Sequence, residues 1–334
     1  MKRLNIPYAI DLGNGYTKRT NGESVLVEPS VFAAAPDFFS TTSDYDSFKY
    51  HDTDTYYVGN DVRKADLTAI PALGDDDMGR YDSIAFRQLL FAFIAKDFRE
   101  SVTIPHLVTG LPVNHFKAKA DDLKKLIEGS KVISINGEEI IIKVEKVHVL
   151  PQPIGTYMSL VNSEKVNPEE QLSLIIDGGH GTLDVTEMKG YTINQRAGAL
   201  KGVKNAHIDI YNYLVDQFGD MRSISISNIP QLLEKGMVYD GQVLDIKEIN
   251  EVKDILNKHF DDMFLFVRDN NFDLKSYNNV IFTGGMAKMH SDRIKAKNRN
   301  SFIVLDDAQE ANVLGYFDYG KAVIEREKES STVR

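Results

Sequence analysis

The chain contains no cysteine, which excludes disulfides and thiolate metal sites and suits a reducing compartment. It lacks any apolar run near the ~20 residues that cross a bilayer as a helix. Behind the basic pair Lys2-Arg3 there is no apolar stretch of the kind a secretory leader needs. Basic excess is missing as well: the formal net charge is −10, which argues against a protein that wraps nucleic acid over its whole surface. Neither the Walker pattern nor GxGxxG occurs, so the P-loop and Rossmann readings fail. What remains is a 334-residue chain, 42% apolar, with room for two modest domains or one elaborate one. A soluble, cytoplasmic protein without membrane contact is the expectation.

The stretch Ser173 to Asp184 organises the rest. Leu174-Ile175-Ile176 is a short apolar run stopped by Asp177 and the glycines 178, 179 and 181. It reads as a buried strand ending in a tight turn. A second strand, with β-branched residues, follows from Thr182. A hairpin with a glycine-rich corner presents several backbone N–H groups on one side, which a phosphate requires. Tyr8 to Lys18 repeats the pattern: an apolar run, Asp11, the spaced glycines 13 and 15, then Thr17 and Lys18. Two such corners suggest two similar half-domains acting on one polyphosphate.

Between them the spacing predicts strands over 6–10 and 16–19, and another at 24–27 after the hairpin signal Asn21-Gly22. The composition then turns polar over about 36–82, including Asp75-Asp76-Asp77, with a lone strand at 56–58. That segment is a solvated insertion or a polar contact face. Apolar residues recur at helical spacing over 83–99, where Ser83 can act as cap. A strand at 107–112 precedes a lysine-rich helix over 116–127, and Asn136-Gly137 marks a hairpin between 132 and 142. Helices are expected over 155–161, 203–218, 229–236, 246–268 and 308–319, and strands over 191–195 and 280–283. The charged tail beyond Arg326 is expected to fray. Strands followed by helices, twice over, describe an α/β architecture of two related domains.

In this order the pieces become specific. Asp11-Leu12-Gly13-Asn14-Gly15-Tyr16-Thr17-Lys18 resembles the first phosphate loop of the actin, Hsp70 and sugar-kinase superfamily of ATPases. Gln152-Pro153-Ile154-Gly155 is similar to its first connecting motif, and Asp177-Gly178-Gly179-His180-Gly181-Thr182-Leu183-Asp184 to its second phosphate loop. Thr283-Gly284-Gly285-Met286-Ala287 resembles the adenosine motif, and Asn312 to Gly315 the second connecting helix. Within the superfamily the chain looks most like the ParM-type bacterial actins that segregate plasmids. Thr109-Gly110-Leu111-Pro112 and Leu233-Glu234-Lys235-Gly236 carry that step.

The resemblance implies an actin-like, ribonuclease H-like, two-domain ATPase fold with the nucleotide cleft between domains. Domain I would hold 1–162 and 318–334, with the insertion at about 36–82, and domain II 163–317. ATP, with GTP as an alternative, would bind with Mg²⁺. Backbone N–H groups of Gly13 to Tyr16 and Gly179 to Thr182 would cradle the phosphates. Lys18 would act as a point charge on them, the alternative being a solvated lysine at a strand end. Asp11 and Asp177 would hold waters of the Mg²⁺ shell, the alternative for either being a turn anchor; Asp184 ranks below them, with the turn-anchor role open to it. Gln152 corresponds to the residue that orients the attacking water. His180 would approach the γ-phosphate or be merely exposed, and Glu234 and Lys235 would reach ribose and base or be an exposed pair. Gly284 and Gly285 would let the backbone approach adenine closely. The implied function is a nucleotide-dependent filament that moves plasmid DNA indirectly, through a small DNA-binding adaptor of ParR type. A sugar-type kinase of the same superfamily and a non-plasmid bacterial actin are the alternatives.

Overall fold

All five residues of the strand Tyr8–Leu12 are buried, which a strand acquires only when both faces of its sheet are covered. Alternate residues serve different layers. Tyr8, Ile10 and Leu12 join a core with the helix Ile84–Phe98, while Ala9 packs with Val313 and Tyr316 of the helix Ala311–Thr332. The computed structural model describes residues 1–35, 45–71, 78–219, 224–305 and 308–332. It divides into two compact units, Met1–Glu170 with Asp307–Arg334, and Gln171–Asp306. The expected boundary at 317/318 falls inside the helix Ala311–Thr332, which the compact units keep whole. The one at 162/163 falls just after the helix Gln152–Asn162. Part of the expected polar insertion, 36–44 and 72–77 with Asp75 to Asp77, lies outside the described residues.

In the first unit Val25–Pro29, Tyr16–Thr20 and Tyr8–Leu12 form an antiparallel meander. Tyr8–Leu12 then pairs in parallel with Val102–Leu111, and that strand in parallel with Glu138–Pro151. Gly129–Ile135 returns antiparallel across a turn in which Asn136 and Gly137 have φ of 53° and 85°, the conformation that makes Asn-Gly a two-residue loop. The strand Tyr56–Val58 is not alone, as it pairs with Val31–Ala34 and Phe48–Lys49. Ser83 caps its helix as expected, accepting from the Phe86 N–H at 3.1 Å.

The second unit has a five-stranded sheet in the order Thr192–Ala199, Leu183–Lys189, Leu172–Gly178, Asn279–Thr283, Phe302–Val304. The first three form an antiparallel meander, and Leu172–Gly178 pairs in parallel with Asn279–Thr283. Each unit thus repeats one plan, a meander whose first strand gains a parallel neighbour after a helix. The helices Val203–Phe218 and Asn250–Asp269 share an apolar core with the short helix Ile229–Lys235. A two-stranded hairpin, Met237–Tyr239 with Gln242–Leu244, turns at Asp240-Gly241. The expected helix over 246–268 is a short 3-10 turn, Ile246–Glu248, and then the α-helix from Asn250. The charged tail does not fray at Arg326. The last helix runs to Thr332: Glu, Lys and Arg are good helix formers, and Glu327 pairs with Lys146 at 2.6 Å and meets His106 at 3.3 Å.

Candidate functional site

In the first unit Asp11 lies opposite Lys18 across the meander. The Lys18 Nζ donates to Asp11 Oδ2 at 3.2 Å, and the Gln152 Nε2 to Asp11 Oδ1 at 3.1 Å. Asp11 is buried, and the lysine side chain is only 16% exposed, so Lys18 is not a solvated lysine. Gln152 reaches Asp11 from the first residue of the helix Gln152–Asn162, with Pro151 as N-cap and Pro153 in the first turn. The corner itself is tight: a Cβ on Gly13 would stand 2.8 Å from the Tyr16 carbonyl oxygen and 3.3 Å from Lys18 Nζ. Gly13, Asn14, Gly15 and Tyr16 are half-buried.

Thr17 departs from expectation. Its side chain is fully buried and its hydroxyl meets Ser30 Oγ at 2.9 Å, so it does not share a face with Lys18. Neighbouring strand residues point to opposite sides of a sheet, and Lys18 takes the side of Asp11.

In the second unit Asp177 and Asp184 face each other across the hairpin, and the Gly179 N–H closes the corner on the Thr182 carbonyl at 2.8 Å. The start of the helix Val203–Phe218 lies behind it. The N–H groups of Val203, Lys204 and Gly202 donate to the carbonyls of Gly179, His180 and Gly181 at 3.1, 2.9 and 3.2 Å. In a trans peptide C=O and N–H point in opposite directions. With three successive carbonyls turned to the helix, the N–H groups of His180, Gly181 and Thr182 turn away from it together. Such a concavity attracts anions.

Glycine is required here for packing. A Cβ on Gly178 would stand 2.3 Å from Met286 Cβ, and one on Gly284, whose φ is +79°, 2.5 Å from Asp177 Oδ1 and from the Gly178 carbonyl. Gly284 is therefore explained by the approach of its own strand neighbours, without any ligand. Gly285 follows it, half-buried, in the short helix Gly284–Met289. The Met286 side chain is buried beneath Gly178. Glu234 and Lys235 are exposed at the end of the helix Ile229–Lys235. The described residues contain no cluster of three His, Asp or Glu side chains able to hold a metal by themselves.

His180 is half-buried, its ring 6.5 Å from that of His207. Histidines missed in the sequence buttress the corner. His259 Nε2 lies 3.2 Å from the Gly202 carbonyl and His259 Nδ1 2.9 Å from His290 Nε2. A carbonyl only accepts, so His259 donates from Nε2. Its Nδ1, in the neutral ring, then accepts from His290. Burial, with His180 and His259 nearby, lowers the pKa of His207 to about 4. Burial, with His259 and Arg293, lowers that of His290 to about 3. Below the unfolded value of about 6.5, the unfolded chain takes up protons that these folded rings refuse. Acidification from pH 7.5 to 5 is therefore expected to destabilise the fold, each ring contributing about 1.4 kcal/mol per pH unit below 6.5. Urea midpoints across this range test it, and a His290→Gln variant should show the shallower slope.

Residues 9–155 match the family of actin-like protein N-terminal domains. Among solved structures, the apo psk41 ParM protein is 24% identical with a TM-score of 0.68, over 96% of this chain and 98% of that one. Ta0583, an archaeal actin homologue, is 17% identical with a TM-score of 0.78, over 95% and 99% of the two chains. ParM from a 15-stranded filament of Clostridium botulinum is 20% identical with a TM-score of 0.76, again over 95% and 99%. No curated protein matches by sequence. Residues 9–155 thus match an actin-like N-terminal domain, and the fold of the chain is similar to that of ParM and Ta0583.

Proposed function

We propose that this chain is a nucleotide-driven filament protein: an ATPase that polymerises with Mg·ATP and disassembles after hydrolysis. The observation that carries the reading is the pair of glycine corners with their carbonyls held from behind, one of them beside Lys18, Asp11 and Gln152. That arrangement suits phosphates: N–H donors, one cation, and carboxylates. The archaeal homologue Ta0583 is also known in complex with ADP, and ParM from Clostridium botulinum and Alp12 as filaments.

Asp11 and Asp177 would accept hydrogen bonds from waters of a Mg²⁺ arriving with the phosphates, and the metal would supply charge neutralisation there. Lys18 would turn from Asp11 to the β- and γ-phosphates. Gln152 would orient the attacking water. A neutral amide positions water without deprotonating it, so turnover should be slow. Glu234 and Lys235 would contact ribose and base, and GTP is an alternative nucleotide.

In this reading the filament acts in the cytoplasm and segregates plasmid DNA through a small basic adaptor of ParR type. The net charge of −10 favours a basic partner and disfavours direct contact with DNA.

Right-angle light scattering and phosphate release after addition of Mg·ATP or Mg·GTP test the proposal. Scattering should appear above a critical protein concentration, with phosphate release following. Asp177→Ala should remove both signals, lowering phosphate release by at least about 100-fold. Phosphate release with flat scattering at every concentration would overturn the filament reading and leave a kinase to be sought. The absence of both signals would overturn the nucleotide site.

A further inference from the structure

The second corner is oriented by a helix; in the first the corresponding work falls to one residue, through its hydroxyl and its backbone N–H. Ser30 follows Pro29 at the end of the strand Val25–Pro29, in the meander that contains the corner, and it is fully buried. Its Oγ lies 2.6 Å from the Gly13 carbonyl oxygen and its N–H donates to the Gly15 carbonyl at 3.0 Å. A serine has one hydroxyl proton and a carbonyl only accepts, so that proton goes to Gly13. The contact of 2.9 Å between Thr17 Oγ1 and Ser30 Oγ then has Thr17 as donor. The result is a directed chain, Thr17 to Ser30 to Gly13.

Two alternate peptides of the corner are thus pinned from one side, Gly13-Asn14 by the Ser30 hydroxyl and Gly15-Tyr16 by the Ser30 N–H. Both peptides are trans. The N–H groups of Asn14 and Tyr16 are therefore turned away from Ser30. Lys18 Nζ, close to Gly13, places positive charge beside the same corner.

We propose that Ser30 is a positioning residue for the nucleotide's phosphates: it never touches them, and it aims the backbone donors that do. The inference rests on the nucleotide reading above. Its strength comes from preorganisation, since donors already fixed do not lose conformational freedom when the anion arrives.

The test uses the full chain, with displacement of a fluorescent ATP analogue by Mg·ATP and, separately, by adenosine. Ser30→Ala keeps the backbone N–H and removes the hydroxyl. It is expected to weaken Mg·ATP about tenfold, the size of one well-placed hydrogen bond, while adenosine displaces as before. Thr17→Val, which removes only the donor behind Ser30, should weaken Mg·ATP about threefold in the same phosphate-selective way. It carries the comparison if Ser30→Ala does not fold. Unchanged Mg·ATP affinity in the variants, or equal losses for Mg·ATP and adenosine, would overturn the role of Ser30 and leave the nucleotide site standing. A wild-type chain that binds no Mg·ATP would overturn both.

Discussion

Arg19→Ala is expected to destabilise the first unit by about 3–5 kcal/mol, the usual consequence of removing one partner from a buried charge network. Arg19 is 1% exposed, on the strand Tyr16–Thr20 next to Lys18. Its Nε donates to both carboxylate oxygens of Asp97, at 2.8 and 2.9 Å, and its Nη2 to Glu28 Oε1 at 2.7 Å. The guanidinium lies 4.5 Å from the centre of the Phe93 ring. Lys96 bridges Glu28 and Asp61 at 2.8 and 2.9 Å, and the Tyr8 hydroxyl donates to Asp97 at 2.7 Å.

Arg19, Lys96 and, 3.9 Å from Asp61, the exposed Lys64 serve three buried carboxylates, and alanine would take the guanidinium from Asp97 and Glu28. Burial already raises the Asp97 pKa, against the pull of Arg19 and Tyr8. Burial also pushes Glu28 upward, but Arg19, Lys96 and the Asn60 N–H outweigh it and hold the carboxyl below its usual range. Without Arg19, Asp97 should rise further. A folded-state carboxyl above its unfolded value binds more protons than the unfolded chain, so it favours folding at low pH and loses that contribution as pH rises. The deficit of Arg19→Ala should accordingly be larger at pH 7.5 than at pH 5. Urea unfolding of the variant and wild type at both values measures it, and a deficit below 1 kcal/mol at neutral pH would sink the argument.

The parts of this molecule legible in its sequence are those that local chemistry dictates. An apolar run, an aspartate and spaced glycines can hardly be other than strand and corner. Apolar spacing after Ser83 gave the helix Ile84–Phe98 and its cap. The side to which Thr17 points was legible too, since a strand alternates and Lys18 already had the other face. Asp240-Gly241, between Met237-Val238-Tyr239 and Gln242-Val243-Leu244, is a hairpin signal of the strongest kind, and the hairpin forms there. What could not be read is what the fold brings together from a distance. Ser30 meets Gly13 across 17 positions and His259 meets Gly202 across 57, and nothing near either residue announces the partner. For Gly284 the sequence suggested close approach by a ligand. The structure supplies a closer neighbour in Asp177.

Gly315→Ala is expected to lower phosphate release by about 10- to 100-fold, because the helix bearing Gln152 would have to move. The helices Gln152–Asn162 and Ala311–Thr332 meet backbone to backbone: a Cβ on Gly315 would stand 1.7 Å from the Gly155 carbonyl oxygen. From the other side, a Cβ on Gly155 would stand 2.5 Å from the Asn312 carbonyl oxygen. Backbone cannot swing aside as a flexible side chain can, so the helices must separate. Asn312 fastens the same crossing, its Oδ1 accepting from the Thr156 N–H and hydroxyl at 3.1 and 2.8 Å. Gln152 lies one helical turn before Gly155, and a displaced helix would carry its amide off Asp11. Overpacking alone should also reduce stability by about 1–3 kcal/mol.

Gly320→Ala separates the two effects. It sits on the same helix, but a Cβ there would meet side-chain atoms, Pro7 Cβ at 2.6 Å and Val108 Cγ2 at 3.0 Å. It should therefore lower the unfolding midpoint while leaving more of the hydrolysis intact than Gly315→Ala does. If Gly315→Ala hydrolyses Mg·ATP at the wild-type rate, the crossing does not govern the position of Gln152. If the two variants lose activity in step with stability, the crossing is only a packing contact. A loss of hydrolysis in Gly315→Ala well beyond its loss of stability would identify this glycine crossing as what holds Gln152 against Asp11.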